Sequence, residues 1–144
     1  MNETEIISFL HKVPVFSSLN ARQFVSLAKL GYEREFKAGE TIVKQGEGGV
    51  GLFIVVSGKL EAIRQRPDGA QVVVNTFGPT DFFGELALLD EGVRTASVIA
   101  NEDVKCIAIL RWDFYRLLNS DAEMAVSVLK ELARRFRTVL EASM

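Results

Sequence analysis

The spacing of apolar and polar positions divides the chain into three parts. Residues 1–31 carry apolar side chains at helical intervals, and Asn20 with Gln23 three positions later predicts a capped helix start. Residues 32–110 form short β-branched and aromatic runs between glycine-containing turns, at the roughly 8–12-residue spacing of an antiparallel sandwich or barrel. Residues 111–144 return to helical spacing. We therefore expect an N-terminal helical segment, a β-roll and C-terminal helices.

The last predicted helix carries a start signal and a packing signal. Ser120 followed by Glu123 predicts a capping box at its first turn. Apolar residues then recur at steps of four, three, four and three, the spacing of a coiled-coil seam, at Ala125, Leu129, Leu132, Phe136 and Val139. A second apolar face, which the barrel could cover, is formed by Val128, Ala133 and Leu140. Two alternatives stay open: the seam packs on its own barrel, or it pairs in parallel with a second copy as a homodimer, which the breadth of the apolar surface favours.

The composition is that of one folded domain over residues 1–144. The chain has 17 Lys and Arg against 19 Asp and Glu, a net charge of −2, and 48% apolar residues, which excludes intrinsic disorder. A charge near zero argues against general affinity for nucleic acid or anionic membranes. No apolar stretch approaches the ~20 residues of a membrane-spanning helix, and the first residues lack the pattern of a secretory signal. We therefore expect a cytoplasmic protein without a membrane partner.

Two scarce residue types limit the chemistry. Cys106 is the sole cysteine, so neither an intrachain disulfide nor a cysteine-ligated iron–sulfur cluster can form, and its apolar surroundings predict a small core side chain. His11 is the sole histidine and lies in the N-terminal helical segment. A metal-dependent jelly-roll enzyme needs several His and carboxylate ligands, and a Ser-His-Asp triad needs a histidine beside its nucleophile. We therefore predict a protein that is not an enzyme and has neither a metal site nor a cofactor.

The most informative segment covers residues 82–97. Gly84 permits close approach of a ligand to the backbone, and the helix-capable run after it offers unpaired N–H groups that favour an anion. Arg94 and Thr95 follow a short acidic loop and could close an anion site with a guanidinium and a hydroxyl group. Glu85 is an acceptor, which suits a ligand that also carries hydroxyl donors, such as a ribose. These residues fit a pocket for a small sugar phosphate; the alternative is a solvated arginine and carboxylate beside leucines that pack in the core.

Two blocks of this segment resemble the phosphate-binding cassette of the cyclic nucleotide-binding domain family, the family of the catabolite activator and of protein kinase A regulatory subunits. The blocks are Phe83-Gly84-Glu85-Leu86-Ala87-Leu88 and Arg94-Thr95-Ala96-Ser97. Residues 13–19, 36–47 and 52–60 also resemble the family, so the resemblance covers nearly the whole chain. It implies a mainly β fold with flanking helices: an eight-stranded antiparallel jelly-roll (double-stranded β-helix) with N-terminal helices and a long C-terminal helix.

The resemblance assigns roles on the sugar and phosphate side of a cyclic nucleotide. Glu85 would accept a hydrogen bond from the ribose 2′-hydroxyl, and Arg94 would pair with the cyclic phosphate. Backbone groups around the ribose and the phosphate would come from Gly84, Leu86 and Ala87. The implied ligand is cAMP or cGMP.

The resemblance also assigns the base side of the pocket. Val74 and Phe77 would line its apolar wall, and Arg135 would approach the ligand from the last helix as that helix closes. Thr95 would contact the phosphate, and in cGMP-binding members a threonine hydroxyl can also bond the guanine amino group. Adenine-specific members place a polar side chain on the closing helix, where residues 138–140 here are Thr, Val and Leu. The sequence leaves the choice between cAMP and cGMP open.

The implied function is a regulatory module that binds a cyclic nucleotide and switches by movement of its C-terminal helix. The family's transcription factors continue into a helix-turn-helix, whereas this chain stops at Met144. We therefore expect a stand-alone domain with no DNA-binding region, and three alternatives stay open: the domain works alone, it binds a separate effector protein, or the chain is a fragment. The alternative is a non-signalling interaction domain of the same fold, with a vestigial pocket or one fitted to another small anion. The intact Glu85 and Arg94 favour the regulatory module.

Overall fold

Helices flank a β-roll in the computed structural model, which describes residues 1–17, 19–46, 51–83 and 96–143. The helices are α1 (Glu3–Leu10), α2 (Ala21–Leu30), α3 (Arg111–Ser120) and α4 (Ala122–Ser143). Among the described residues, no helix is long and apolar enough to cross a membrane.

The β-roll consists of two four-stranded antiparallel sheets. Its strands are β1 (Tyr32–Phe36), β2 (Thr41–Val43), β3 (Gly51–Ser57), β4 (Leu60–Gln65), β5 (Gln71–Phe77), β6 (Phe82–Phe83), β7 (Ser97–Ala100) and β8 (Val104–Leu110). The first sheet has the order β1-β8-β3-β6 and the second the order β2-β7-β4-β5. The predicted mainly β jelly-roll with flanking helices and a long C-terminal helix is therefore confirmed.

Alternation along β3 and β8 gives the molecule two cores. Phe53 and Val55 face the second sheet, and with the inward residues of the other strands they form the core inside the roll. Leu52 and Ile54 face the opposite way and pack under α1, α2 and α3. Cys106 is fully buried inside the roll, as its apolar run predicts, and burial raises the pKa of its thiol to about 12. The first sheet is thus covered on both faces, which fixes the helices onto the roll.

The two predicted helix caps have different outcomes. Asn20 and Gln23 form the predicted capping box: the Gln23 amide donates to Asn20 Oδ1 at 2.9 Å and the Asn20 amide to Gln23 Oε1 at 2.8 Å. The Ser120 capping box is wrong, because Ser120 is the last residue of α3 and its hydroxyl donates to the Leu117 carbonyl at 3.0 Å. Asp121 has the extended backbone that an N-cap needs, and its Oδ1 accepts from the Met124 amide at 3.1 Å.

The two faces of α4 differ in part from the prediction. Met124 and Val128 are buried and Leu132 packs against the same core, because residues four apart lie on one side of a helix. The outward side carries a row of apolar side chains, here called the α4 row, at steps of three, four, three and four: Val126, Leu129, Ala133, Phe136 and Leu140. The prediction that Leu132 shares a face with Leu129 and Phe136 is therefore wrong. The prediction that Ala133 and Leu140 lie on the face that the barrel could cover is wrong as well. The side chain of Val139 lies outside the described part of the structure.

Candidate functional site

The predicted site residues divide into two groups. Val74 and Phe77 lie on β5, and Arg135 lies on α4. The other six lie outside the described residues: Gly84, Glu85, Leu86, Ala87, Arg94 and Thr95. These six residues belong to the segment between β6 and β7. The sheets hold both of these strands in position, since β6 pairs with β3 in the first sheet and β7 pairs with β4 in the second. Their surroundings therefore define the candidate site.

Val74 lies at a β-bulge on the edge strand of the second sheet. The register passes from Ala62↔Asn75 to Ile63↔Val73, so Val74 is the extra residue on β5. A bulge changes the direction of the strand and of its side chains, and bulges are common beside binding sites. The Val74 side chain is 45% exposed, which leaves it available for contact with an apolar ligand surface.

Phe77 closes one side of the roll. Its ring lies 5.2 Å from the ring of Phe83, which in turn stacks on Phe53 with the same centroid separation. Since β5 and β6 are edge strands of different sheets, this contact joins the two sheets next to the start of the predicted cassette. Phe77 is therefore partly buried as part of an aromatic wall, with one side occupied by Phe83.

Arg135 binds α4 to the strand that precedes the predicted cassette. Its Nη2 donates to the Phe82 carbonyl oxygen at 2.8 Å, and its guanidinium carbon lies 4.1 Å from the centre of the Phe82 ring. Glu131 Oε1 lies 3.8 Å from Arg135 Nε and helps to orient the side chain. We call this arrangement the Arg135–Phe82 contact. Sequence reasoning identified Arg135 but not Phe82, because local spacing carries no signal for a contact across 53 residues.

Gln45 holds the other described end of the segment. Its backbone amide donates to Ser97 Oγ at 2.9 Å, at the first residue of β7. Its side chain exchanges two hydrogen bonds with the backbone of Gln65, at 2.8 and 3.2 Å. The turn after β2 is thus connected to both β7 and β4. Sequence reasoning placed Ser97 in the family motif but gave no partner for it.

A separate cleft of about 950 Å³ opens on the second sheet near this end. Ile63 and Ile99 contribute apolar surface, and Gln45 and Gln65 line it as well. Among the described residues, Gln45 and Ser97 line this cleft at the β7 end of the segment, whereas Val74, Phe77 and Arg135 do not line it.

Two further observations concern His11 and possible metal ligands. His11 stacks on Phe24, with ring centroids 3.9 Å apart, so it packs between the N-terminal helices. Across the described ranges no group of three His, Cys, Asp or Glu side chains could hold a metal ion. Phe77 and Phe83 form an aromatic wall inside the roll, and Val74 is an exposed valine at a bulge. Arg135 contacts Phe82, which packs in the core on the opposite, helix-covered face of the first sheet.

Comparison with known proteins gives a match over most of the chain. The family model described as the cyclic nucleotide-binding domain matches residues 33–121. The cyclic AMP receptor protein of Thermus thermophilus is 37% identical over 125 residues, which cover 86% of this chain and 57% of that protein. This chain therefore spans little more than half the length of that relative.

Solved structures give the same result. The regulatory domain of Toxoplasma gondii PKA, determined with cAMP, has a TM-score of 0.82 and 30% identity, covering 92% of this chain and 50% of the other. The regulatory subunit of a cAMP-independent protein kinase A from Trypanosoma cruzi, bound to guanosine, has a TM-score of 0.82 and 29% identity, covering 98% and 51%.

Proposed function

Because the chain belongs to the cyclic nucleotide-binding domain family, we propose that it binds cAMP or cGMP and responds by moving α4. The Arg135–Phe82 contact carries this proposal. Phe82 directly precedes the block that resembles the phosphate-binding cassette, so a ligand bound by that block would change the surroundings of a residue that α4 already holds.

We assign the sugar and phosphate contacts to the segment between β6 and β7. Arg94 pairs with the cyclic phosphate and Glu85 accepts from the ribose 2′-hydroxyl. Gly84, Leu86 and Ala87 supply backbone groups, and Thr95 adds an amide or hydroxyl contact to the phosphate. A guanidinium suits this role because its planar fork can bind two oxygens of one anion.

The base lies, in this proposal, against the apolar wall of Val74 and Phe77. The exposed valine at the bulge supports that placement, since an apolar side chain can stack on any base. Relatives differ in their ligands: one structure was determined with cAMP and another is bound to guanosine. We therefore keep both cAMP and cGMP as candidate ligands.

The way α4 is held supports the proposed movement. A ligand shifts a conformational equilibrium only by the difference in its affinity for the two states. In this proposal Arg135 approaches the ligand when the site is filled, so that the nucleotide favours one position of α4. The helix would then transmit occupancy of the site to whatever covers its outer face.

We propose that a second copy of the chain covers the α4 row. Its spacing is that of a two-stranded coiled coil, and Leu129 and Phe136 are each 64% exposed. A separate effector protein is the other partner that this surface fits. The same exposed row supports the second candidate function, a non-signalling interaction domain whose pocket is vestigial or binds another small anion.

Catalysis forms no part of the proposal. The matched proteins named above are a receptor protein and kinase regulatory components. We assign the chain to the cytoplasm, where a single reduced cysteine such as Cys106 is stable.

A thermal-shift panel tests the proposed function, with cAMP, cGMP, a cyclic dinucleotide and 5′-AMP as ligands. We expect one cyclic mononucleotide to raise the melting temperature of the parent, because it binds the folded state. Arg94→Ala should weaken that ligand by about one to two decades in calorimetry, since a charge-assisted hydrogen bond contributes roughly 1.5–3 kcal/mol. Arg66→Ala, an exposed arginine on the β4–β5 turn, is the matched control. If no cyclic nucleotide raises the melting temperature of the parent, the result would favour the second candidate function, a non-signalling interaction domain.

A further inference from the structure

Gln23 is the one polar side chain among the buried residues of the described structure, with 7% of its surface exposed. Its Nε2 donates to Asp121 Oδ2 at 2.6 Å and lies 3.5 Å from Glu123 Oε2. The bond joins residues 98 positions apart, at the junction between α3 and α4. The hydrogen bond to Asp121 is partly buried and has a charged acceptor, and such bonds are stronger than those between neutral groups.

The bond connects residues that take part in capping the starts of two helices, Gln23 in the capping box of α2 and Asp121 at the N-cap of α4. Gln23 Oε1 accepts from the Asn20 amide at the start of α2, while Asp121 Oδ1 accepts from the Met124 amide at the start of α4. Each side chain thus uses one polar atom to cap its own helix and the other to bind its neighbour. A shift of Asp121 relative to α2 would break the shared bond without breaking either cap.

This anchor lies at the far end of α4 from Arg135. Asp121 and Arg135 are 14 positions apart, a distance of about 21 Å at 1.5 Å per residue. A tilt of about 10° about Asp121 would move Arg135 by roughly 4 Å, which exceeds the reach of a hydrogen bond. A small change in the tilt of α4 about Asp121 therefore produces a large displacement at the Arg135–Phe82 contact.

We propose that Gln23 is a positioning residue that fixes the pivot of α4, so that α4 turns about Asp121 and delivers Arg135 to Phe82. The consequence for nucleotide binding rests on the proposed function, whereas the positioning of Arg135 does not. α4 then has two attachments of different kinds: a pivot at the helical segment formed by α1 and α2, and a releasable contact at β6.

Reversal of the hydrogen bond tests the pivot. Gln23→Glu keeps an oxygen that can accept from the Asn20 amide, but replaces the donor to Asp121 with a like charge. Asp121→Asn keeps a cap acceptor for the Met124 amide, but places an amide donor opposite the donor of Gln23. The double variant restores one donor and one acceptor with their direction exchanged. Gln71→Glu on exposed β5 adds the same charge elsewhere and serves as the matched control.

The readout is the Arg135 Hε resonance of the ligand-free protein, assigned through its absence in Arg135→Lys. A guanidinium 4.1 Å above the Phe82 ring gives an upfield ring-current shift, which Phe82→Leu should abolish. We expect each single variant to lose the shift while keeping the parent circular dichroism, and the double variant and Gln71→Glu to show it. Should Gln23→Glu fail to fold, Asp121→Asn tests the same bond without added charge.

Two results would overturn the pivot: a folded single variant that retains the shifted resonance, or a double variant that fails to regain it. If the nucleotide binds, the single variants should also raise its dissociation constant about tenfold, because without a fixed pivot α4 adopts the position that brings Arg135 to the ligand less often. A parent that binds no cyclic nucleotide would contradict the proposed function and leave the resonance experiment to decide the role of Gln23.

Discussion

Replacement of Arg135 by alanine removes the contact through which α4 reaches the strand before the proposed nucleotide site. The guanidinium makes a 2.8 Å hydrogen bond to Phe82, lies over its ring, and has Glu131 at 3.8 Å. A hydrogen bond from a charged donor contributes roughly 1.5–3 kcal/mol, an exposed cation–π contact about 0.5–1 kcal/mol and an i,i+4 pair about 0.3–0.5 kcal/mol. Because the side chain is 32% exposed, solvent screening reduces the sum, and we expect a loss of about 1–2 kcal/mol.

That loss should appear as local opening of the second half of α4. Amide exchange through local opening speeds up in proportion to the population of the open state, and 1–2 kcal/mol corresponds to roughly a 5- to 30-fold change. Hydrogen–deuterium exchange followed by mass spectrometry should therefore show faster exchange in peptides from residues 132–143. Peptides from β3 and β8 should exchange at the parent rate, because the sheet core does not depend on the Arg135–Phe82 contact.

The neighbouring arginine provides the control. Arg134 pairs with Glu131 at 3.0 Å within the same helix, and its side chain is 63% exposed. Arg134→Ala should change exchange in this region less than twofold, since exposed ion pairs contribute little. Equal exchange rates in the Arg135→Ala and Arg134→Ala proteins would refute the reasoning.

Three further predictions concern packing, assembly and pH. Met124→Ala, at a fully buried position, should lower the free energy of unfolding in urea by about 2–5 kcal/mol, whereas Lys130→Ala, at an exposed position of α4 outside the α4 row, should cost under about 0.5 kcal/mol; equal losses would contradict the assigned helix faces. Phe136→Glu should convert a dimeric parent to monomer in light scattering, and a parent that is monomeric at high concentration would rule out the paired α4 row. The Lys105 ammonium, 3.1 Å from Glu33 Oε1, and then the Met1 amino group hold the pKa of Glu33 below its ordinary value. Glu33 therefore stabilises the fold above about pH 4.5, and this contribution is lost as pH falls through the folded pKa. Glu33→Gln should therefore lower the melting temperature at neutral pH and converge with the parent in acid; a gap that does not vary with pH would contradict it.

Local signals predicted the parts of the fold that depend on local interactions. The Asn20–Gln23 box formed because both members lie within one turn, and the strands formed where β-branched runs alternate with turns. The start of α4 was misplaced by one residue because Ser120 and Asp121 can both cap a helix. In the structure α3 extends to Ser120, so Asp121 is the residue that caps α4. Tertiary packing determines where α3 ends.

Contacts between distant residues could not be predicted from spacing. Which side of α4 faces outward depends on which of its residues pack in the core. Met124 is buried there, and its position determines the rotation of the helix about its axis. The bonds from Gln23 to Asp121 and from Arg135 to Phe82 join segments that only the completed fold brings together. The proposed roles of Glu85 and Arg94 come from the family resemblance. Composition and spacing alone could not distinguish a sugar phosphate pocket from a solvated arginine and carboxylate.

A crystal structure of the chain with the cyclic nucleotide selected by the thermal-shift panel tests the central claim most directly. The account predicts the cyclic phosphate within hydrogen-bonding distance of the Arg94 guanidinium, the ribose 2′-hydroxyl on Glu85, and the base against Val74 and Phe77. A nucleotide bound elsewhere, such as in the cleft beside Ile63 and Ile99, or Arg94 and Glu85 far apart and facing solvent, would contradict it.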